Sequence, residues 1–348
     1  MQIQLDFLGG MGYSRLSLLH YSKAMSDALN GKTEGPMVRY IAKRLLQTVL
    51  ILLLASVIIF VMIRVTPSDP IASMTKGKRI SQETREALIR QYHLDKTVPH
   101  QYIIWITGAI RGDLGNSYSK KQPVTDIIAS RLPTTMQIVL MSAVMAILLS
   151  IPTGIICAVR MNTVLDRLLS ALTLILVASP VFLTGIVLML VFALHLRWFP
   201  SFGAGKSFVE NLHYLFLPSL ALSLSMVALI ARITRSNMIE QLNMPYATTA
   251  VAKGIPYWKV VMKHCFKNTI IPVVTVASLQ IGTMIVGAVL VENVFALGGI
   301  GDVLISGIKA SDYPVVQGIT LMLVAMFALI NLLVDILYAL IDPRIRLE

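Results

Sequence analysis

One long basic stretch interrupts the apolar segments of the second half of the chain. Residues 246–272 read YATTAVAKGIPYWKVVMKHCFKNTIIP, with four lysines and no acidic residue. Gly254 suits the end of a short helix, and Pro256 suits the first turn of the next one. The stretch therefore predicts two short helices with a break at Gly254, forming a polar hairpin outside the bilayer.

The composition indicates an integral membrane protein. Of the 348 residues, 55% are hydrophobic and only 14% are charged, whereas soluble domains carry roughly 25% charged residues. The mean hydropathy is +0.73. Basic residues that flank membrane segments explain the formal net charge of +12, because such flanks fix topology. We therefore expect contact with membrane lipid and no binding of nucleic acid.

Six apolar segments are long enough to cross a bilayer. They span about residues 42–65, 134–159, 168–194, 214–230, 271–291 and 315–340. With the N-terminus inside, the short inner loops and the C-terminal tail are rich in lysine and arginine. The short outer loops hold only Arg197, Lys206 and Lys309. This asymmetry predicts that both termini face the cytoplasm.

These segments give the expected domain organisation. It comprises a cytoplasmic, dispensable N-terminal extension (1–36), a first transmembrane helix (37–66), an extracytoplasmic region (67–133), a core transmembrane domain (134–341) with a cytoplasmic loop (232–270), and a cytoplasmic tail (342–348). In the extracytoplasmic region, Ser81 is placed to cap a helix with Leu88, Ile89 and Tyr92 on its apolar face.

Two tripeptides that resemble part of a phosphate loop do not complete one. Gly31 and Gly205 each begin a Gly-Lys-Thr or Gly-Lys-Ser sequence, but Ser26 and Pro200 stand where the motif needs its first glycine. The six histidines are scattered, and the two cysteines form no Cys-x-x-Cys pair. We expect no nucleotide site, no metal site, no cofactor and no catalytic residue.

Asp335 is the exceptional carboxylate within the apolar segments, and Asn331 lies one turn before it. A proton relay usually needs several ionisable groups within the membrane. We therefore favour a structural, interhelical role for Asp335 and Asn331, and a structural role for Pro272 at the start of the fifth segment. An ion-coupled secondary transporter stays open as an alternative from another class.

Several motifs in order resemble the permeases of binding-protein-dependent ABC importers, most closely the first permease of the dipeptide, oligopeptide and nickel branch. The hairpin is similar to their cytoplasmic "EAA" loop, with Thr248 in place of its glutamate. Further along the chain, Leu297 stands before Gly298-Gly299, where these permeases commonly have a tryptophan. The other matching motifs are VENVF at 291–295, GGIG at 298–301, DYPVVQ at 312–317 and NLLVD at 331–335. The resemblance covers about residues 37–346.

The resemblance implies an all-α, six-helix type I importer transmembrane domain, with an extracytoplasmic cap between its first two helices, in a bacterial inner membrane. It implies a transport subunit without a nucleotide site of its own. Its partners would be a second homologous permease, two ABC ATPase subunits and an extracytoplasmic substrate-binding protein. The cargo would be di- or oligopeptides, with nickel or a metal chelate as the alternative.

The resemblance also assigns roles to residues. It implies ATPase coupling for Tyr246, Ala247, Thr249, Ala250, Lys253 and Gly254, in which the two alanines are small enough for close docking of the partner. The polar residues that could line a translocation pathway are Ser179, Thr184, Ser223, Ser278 and Thr283. More than half of such small polar residues are expected to serve helix packing instead.

Overall fold

A computed structural model describes residues 36–65, 71, 74–75, 79–203, 205 and 207–341. Nearly all of the predicted extension (1–36) and the whole predicted tail (342–348) therefore lie outside the described residues. The described part of the chain is helical and contains no β-strand, only an isolated bridge between Asn116 and Pro123. The all-α prediction is confirmed.

Twelve α-helices are found in the described residues. They are α1 (Pro36–Val65), α2 (Gln82–Gln91), α3 (Val98–Ile110), α4 (Val124–Val159), α5 (Val164–Ala178), α6 (Val181–Leu188), α7 (Phe208–Leu242), α8 (Pro245–Ala252), α9 (Tyr257–Lys259), α10 (Phe266–Phe295), α11 (Ile300–Lys309) and α12 (Tyr313–Ile341). Two π-helical stretches extend this set. Met189–His195 continues α6, and Val260–Cys265 joins α9 to α10.

Five of the described helical stretches are long and apolar enough to cross a membrane, and α5 with α6 makes a sixth if this bent pair is one span. The pair bends by 112° between Ala178 and Val181, near the middle of the third predicted segment (168–194). Ser179 has an extended backbone (ψ 129°) and Pro180 follows it. Proline lacks the N–H that a continuing helix needs and disfavours helical geometry in the preceding residue.

The chain forms two compact units, one made of Met1–Leu50 with Leu332–Glu348 and the other of Ile51–Asn331. In the first unit, Arg44 Nη1 lies 3.1 Å from Asp335 Oδ2. This ion pair is an interhelical contact of the kind expected for Asp335. Because both side chains are partly exposed, such a pair adds only about 1 kcal/mol or less to stability.

The core of the second unit lies around α7, which packs along α4 and α10. Its fully buried side chains include Ile138 of α4, Met226 of α7 and Ile285 of α10. Gly154 allows α4 and α7 to approach closely, because a Cβ at this position would lie 2.5 Å from Thr234 Cβ. Close helix contact through small residues is typical of membrane bundles.

Helix α7 continues well beyond the apolar segment predicted to end at residue 230. It ends at Leu242, so the predicted cytoplasmic loop 232–270 begins inside a helix. Residues 231–242 mix polar with apolar side chains but include no glycine or proline. Loss of hydropathy ends a membrane span, whereas only a helix breaker or a cap ends the helix.

The 117–119 loop, in the region predicted to be extracytoplasmic, is held by one buried carboxylate. Asp312, at the start of α12, accepts hydrogen bonds from Ser117 Oγ (2.6 Å), Tyr118 N (3.0 Å), Ser119 N (2.9 Å) and Ser119 Oγ (2.7 Å). Burial raises the pKa of Tyr118 well above its usual range, so its hydroxyl stays neutral. The four hydrogen bonds to Asp312 fix the 117–119 loop against α12, which gives the DYPVVQ motif a structural role.

The predicted helix of this region is confirmed. Helix α2 begins after Ser81, whose Oγ accepts a hydrogen bond from Thr84 N at 3.2 Å. Leu88, Ile89 and Tyr92 are half-buried, whereas most of the other side chains of α2 are exposed. Ser81 thus acts as the N-cap, and the apolar stripe faces the protein.

Candidate coupling surface

The first arm of the hairpin is the short helix α8, and it ends at Gly254 as predicted. Gly254 has φ +76°. Its N–H donates to Val251 O (2.9 Å), and Ile255 N donates to Ala250 O (3.2 Å). These two bonds define a Schellman motif, which needs a left-handed residue after the last helical turn. Gly254 therefore sets the sharp turn between the two arms.

The second arm is not a separate helix. Pro256 precedes α9 as its N-cap and does not lie in the first turn, a small correction to the prediction. From Tyr257 the chain is helical without interruption through the π-helical stretch and α10 to Phe295. Pro272 lies inside this run. The hairpin is thus one piece with a membrane helix.

The underside of α8 packs on the rest of the chain. Ala247 (2% exposed) and Ala250 (8% exposed) belong to a buried cluster with Met238 of α7 and Val260 and Val261 of the second arm. The expectation that these two alanines face a partner is therefore wrong for their side chains. Their small size instead lets α8 lie flat on the end of the bundle.

Tyr246 links three parts of this region. Its hydroxyl donates to Gln241 Oε1 at 2.7 Å and accepts from Asn268 Nδ2 at 3.3 Å. Burial raises the pKa of Tyr246 above its usual value, so the hydroxyl remains a donor at neutral pH. Since Gln241 lies on α7 and Asn268 on α10, Tyr246 ties α8 to both long helices.

The outer face of the hairpin is exposed and mixes apolar with basic side chains. Val251 (49% exposed), Tyr257 (51%) and Trp258 (64%) form its apolar part, and Thr249 and Lys253 are also exposed. Val251 and Tyr257 line a groove of about 340 Å³ between α8 and the ends of α4 and α7. Exposed apolar patches with a polar rim mark interaction sites. We call Thr249, Val251, Lys253, Tyr257 and Trp258 the coupling surface.

The predicted pathway residues are dispersed over α6, α7, α10 and the C-terminal end of α5. Ser223 is fully buried and donates to Leu220 O at 2.8 Å, so it lines no open surface and this part of the prediction is wrong. Ser179, Thr184 and Thr283 are at least partly exposed and donate to carbonyls of their own helices. Ser278 is half-buried. These four stay candidates.

Asn331 lies beside a close contact of α10 with α12. A Cβ at Gly282 would lie 3.3 Å from Asn331 Oδ1 and 3.1 Å from the Phe327 ring. Gly282 thus leaves room for both side chains, and the structural role of Asn331 stays a prediction.

Sequence reasoning missed one ion pair between α5 and α7. Asp166 Oδ1 accepts from Arg235 Nε, and Asp166 Oδ2 from Arg235 Nη2, both at 2.7 Å. The carboxylate also accepts from Asn162 N (3.0 Å) and Ser170 Oγ (3.3 Å). Its side chain is 4% exposed. Thr163 and Asp166 match the Thr-x-x-Asp capping pattern. This pattern predicts the start of α5 but not the pairing of Asp166 with Arg235.

The family follows from a comparison with known proteins. Residues 150–347 match the family of the binding-protein-dependent transport system inner membrane component. The chain belongs to this family. Residues 37–139 of the permease match the N-terminal part that accompanies it, the binding-protein-dependent transport system membrane component. The permease is thus a multi-pass inner membrane protein.

Named relatives span nearly the whole permease. The glutathione transport system permease protein GsiC of Escherichia coli is 38% identical over 310 residues, and the oligopeptide transport system permease protein AppB of Bacillus subtilis is 36% identical over 316. A Brucella suis protein with the provisional name of a peptide permease is 40% identical over 317 residues. Each match covers 89% of this chain and at least 99% of the relative.

The turn at Gly254 can be tested directly. Proline at this position cannot adopt φ +76° and removes the N–H that donates to Val251, so Gly254→Pro should cost the hairpin roughly 3 kcal/mol. Alanine keeps the N–H, and its Cβ would meet nothing within 4 Å, so Gly254→Ala should cost about 1 kcal/mol. Chymotrypsin cleavage after Tyr257 and Trp258 should be much faster in the proline variant and slightly faster in the alanine variant. Wild-type rates in both would contradict the Schellman turn.

Proposed function

We propose that the chain is the permease subunit of an ATP-driven importer of di- or oligopeptides, and that the coupling surface receives a separate ATPase subunit. The observation that carries the proposal is the hairpin itself. It exposes an apolar and basic face (residues 249–258) and is continuous with a helical run that reaches Phe295. Family membership supports the transport role, and the relatives' names support peptides as the cargo.

Movement of the hairpin would reach the bundle by two routes. The second arm and α10 form one continuous helical run. The underside of α8 packs on Met238 of α7 and Val260 of the second arm through Ala247 and Ala250. Because packed interiors transmit displacement instead of absorbing it, closure of two ATPases on ATP would shift α8, α7 and α10 together. The bundle would then alternate between inward and outward openings.

The same proposal gives the assembly and the orientation. A second homologous permease would complete the translocation pathway, of which this chain forms half. Both termini and the hairpin would face the cytoplasm, in agreement with the lysines and arginines of the inner loops. An extracytoplasmic substrate-binding protein would dock on the opposite side, where Asp312 fixes the 117–119 loop.

Uptake driven by ATP hydrolysis is the property to test. In cells that express the complete transporter, radiolabelled dipeptide uptake should stop when the partner ATPases carry a hydrolysis-dead substitution. Uptake should survive brief treatment with an uncoupler, because the proton gradient is not the energy source. Uptake that persists with dead ATPases and collapses with the uncoupler would instead identify an ion-coupled transporter.

A further inference from the structure

A polar cleft of about 310 Å³ lies where the end of α1 approaches α3, residues 113–118 and the start of α12. Its lining includes Phe60, Arg64, Gln101, Trp105 and Gln317. All of these residues belong to the unit Ile51–Asn331. The cleft includes residues of the region predicted to be extracytoplasmic, and it shares no residue with the coupling surface.

Several side-chain atoms of residues that line the cleft have no hydrogen-bond partner. Among the described residues, five buried side-chain nitrogen or oxygen atoms make no hydrogen bond, and four of them belong to residues that line this cleft: Arg64 Nε, Gln101 Oε1, Trp105 Nε1 and Gln317 Nε2. Gln101 is only 8% exposed and Gln317 only 5%. Buried polar groups are nearly always hydrogen-bonded in proteins, so four together indicate a ligand that supplies the partners.

The unpaired atoms define the chemistry of that ligand. Three of the four are N–H donors, and one of these belongs to the Arg64 guanidinium, which stacks on the Phe60 ring at 5.1 Å from its centroid. Gln101 Nε2 donates to Lys96 O at 2.7 Å, which fixes Gln101 Oε1 as an acceptor. The carboxylate of Asp113, an exposed lining residue, accepts from Gly115 N at 2.9 Å. A ligand that fits combines an anionic oxygen group with a hydrogen-bond donor.

The position of the cleft favours a lipid headgroup as this ligand. The apolar span of α1 runs over Ile41–Val65, and only 17% of its most apolar window is buried, so this helix contacts lipid. About 20 residues cross the hydrocarbon core, which places Arg64, one residue before the helix end, at the depth of the headgroups. Met62 and Ile103, on the two neighbouring helices, are exposed apolar side chains.

We propose that this cleft binds the headgroup of a phospholipid such as phosphatidylglycerol. Arg64, Trp105 and Gln317 donate hydrogen bonds to the phosphate, and Arg64 neutralises its charge. Gln101 Oε1 accepts from a hydroxyl of the headgroup. Phosphatidylcholine fits less well, because its headgroup has no hydrogen-bond donor. The assignment to the extracytoplasmic leaflet rests on the proposed orientation, whereas binding itself does not.

Native mass spectrometry of the full-length chain in detergent, with added phosphatidylglycerol, tests the site. The wild-type chain should retain one lipid and should retain phosphatidylglycerol better than phosphatidylcholine. Arg64→Gln should weaken retention roughly ten- to a hundredfold, as expected for a charge-assisted hydrogen bond. Trp105→Phe keeps the ring that packs against Phe60 and Tyr102 and should weaken retention less. Arg111→Gln, at an exposed arginine just after α3, is the matched control and should change nothing.

Two results would overturn the proposal. The first is equal retention by the wild type and by both Arg64→Gln and Trp105→Phe, each eluting as a single species in size exclusion. The second is displacement of the lipid by equimolar inorganic phosphate, which would make the occupant a free anion. The assay needs no ATPase and no uptake, so its failure would leave the proposed function untouched.

Discussion

Replacing Val251 with aspartate is expected to abolish association with the ATPase subunit and, with it, peptide uptake. Val251 is 49% exposed and lines the groove of the coupling surface. A carboxylate buried there in the complex would be left without a partner. Such a charge at the centre of an interface should cost about 3 kcal/mol, or roughly a hundredfold in affinity. The measurement is the amount of ATPase that copurifies with the tagged permease.

The same substitution should leave the permease itself intact, because an exposed position tolerates change within about 0.5 kcal/mol. Val209→Asp is the matched control. Val209 is 75% exposed in the first turn of α7, which the proposed orientation places on the opposite side of the membrane. Normal copurification of the ATPase with both variants would show that Val251 is not part of a docking surface. Loss of the ATPase from both would show that the substitutions act through folding.

Removing Asp166 is expected to give a large loss of stability. Its carboxylate is 4% exposed and makes two 2.7 Å hydrogen bonds to the Arg235 side chain. Asp166→Ala would leave this guanidinium, only 29% exposed, without its counter-ion. Loss of one partner of such a pair typically lowers the free energy of unfolding by about 3 kcal/mol. An SDS titration in mixed micelles, followed by circular dichroism, measures the change.

Two further variants separate the ion pair from other effects. The double variant Asp166→Ala, Arg235→Ala should be more stable than the sum of its single losses predicts, because neither leaves a charge unpaired. Arg232→Ala, at an exposed arginine of the same helix, should be close to wild type. If Asp166→Ala matched Arg232→Ala, the ion pair would contribute nothing to the packing of α5 on α7.

Local signals in the sequence predicted the parts of the structure that depend on neighbours along the chain. Gly254 indicated the end of α8, because few other residues adopt positive φ there. Ser81 indicated the start of α2, and long apolar runs indicated the membrane helices. Pro180 indicated a break in the third segment, but a proline does not determine the angle of the bend. The observed angle of 112° depends on how α5 and α6 pack against α7 and α10.

What the sequence did not predict depends on contacts between distant residues. Asp166 and Arg235 are 69 positions apart, and no periodicity connects them. Ala247 and Ala250 were read as a surface for a partner because their size suits any close contact. Only the fold shows that they face Met238 and Val260 inside the chain. The unpaired atoms around Arg64 likewise become visible only when α1, α3 and α12 are placed together.

Site-specific photocrosslinking at Thr249 tests the central claim most directly. Thr249 is exposed on α8, and its hydroxyl bonds only within that helix, to Pro245 O at 2.8 Å. A photoreactive amino acid at this position in membranes that hold the complete transporter should give a covalent adduct with the ATPase subunit. Absence of that adduct, together with modification of a cysteine at the same position by a membrane-impermeant thiol reagent added from outside, would contradict the account.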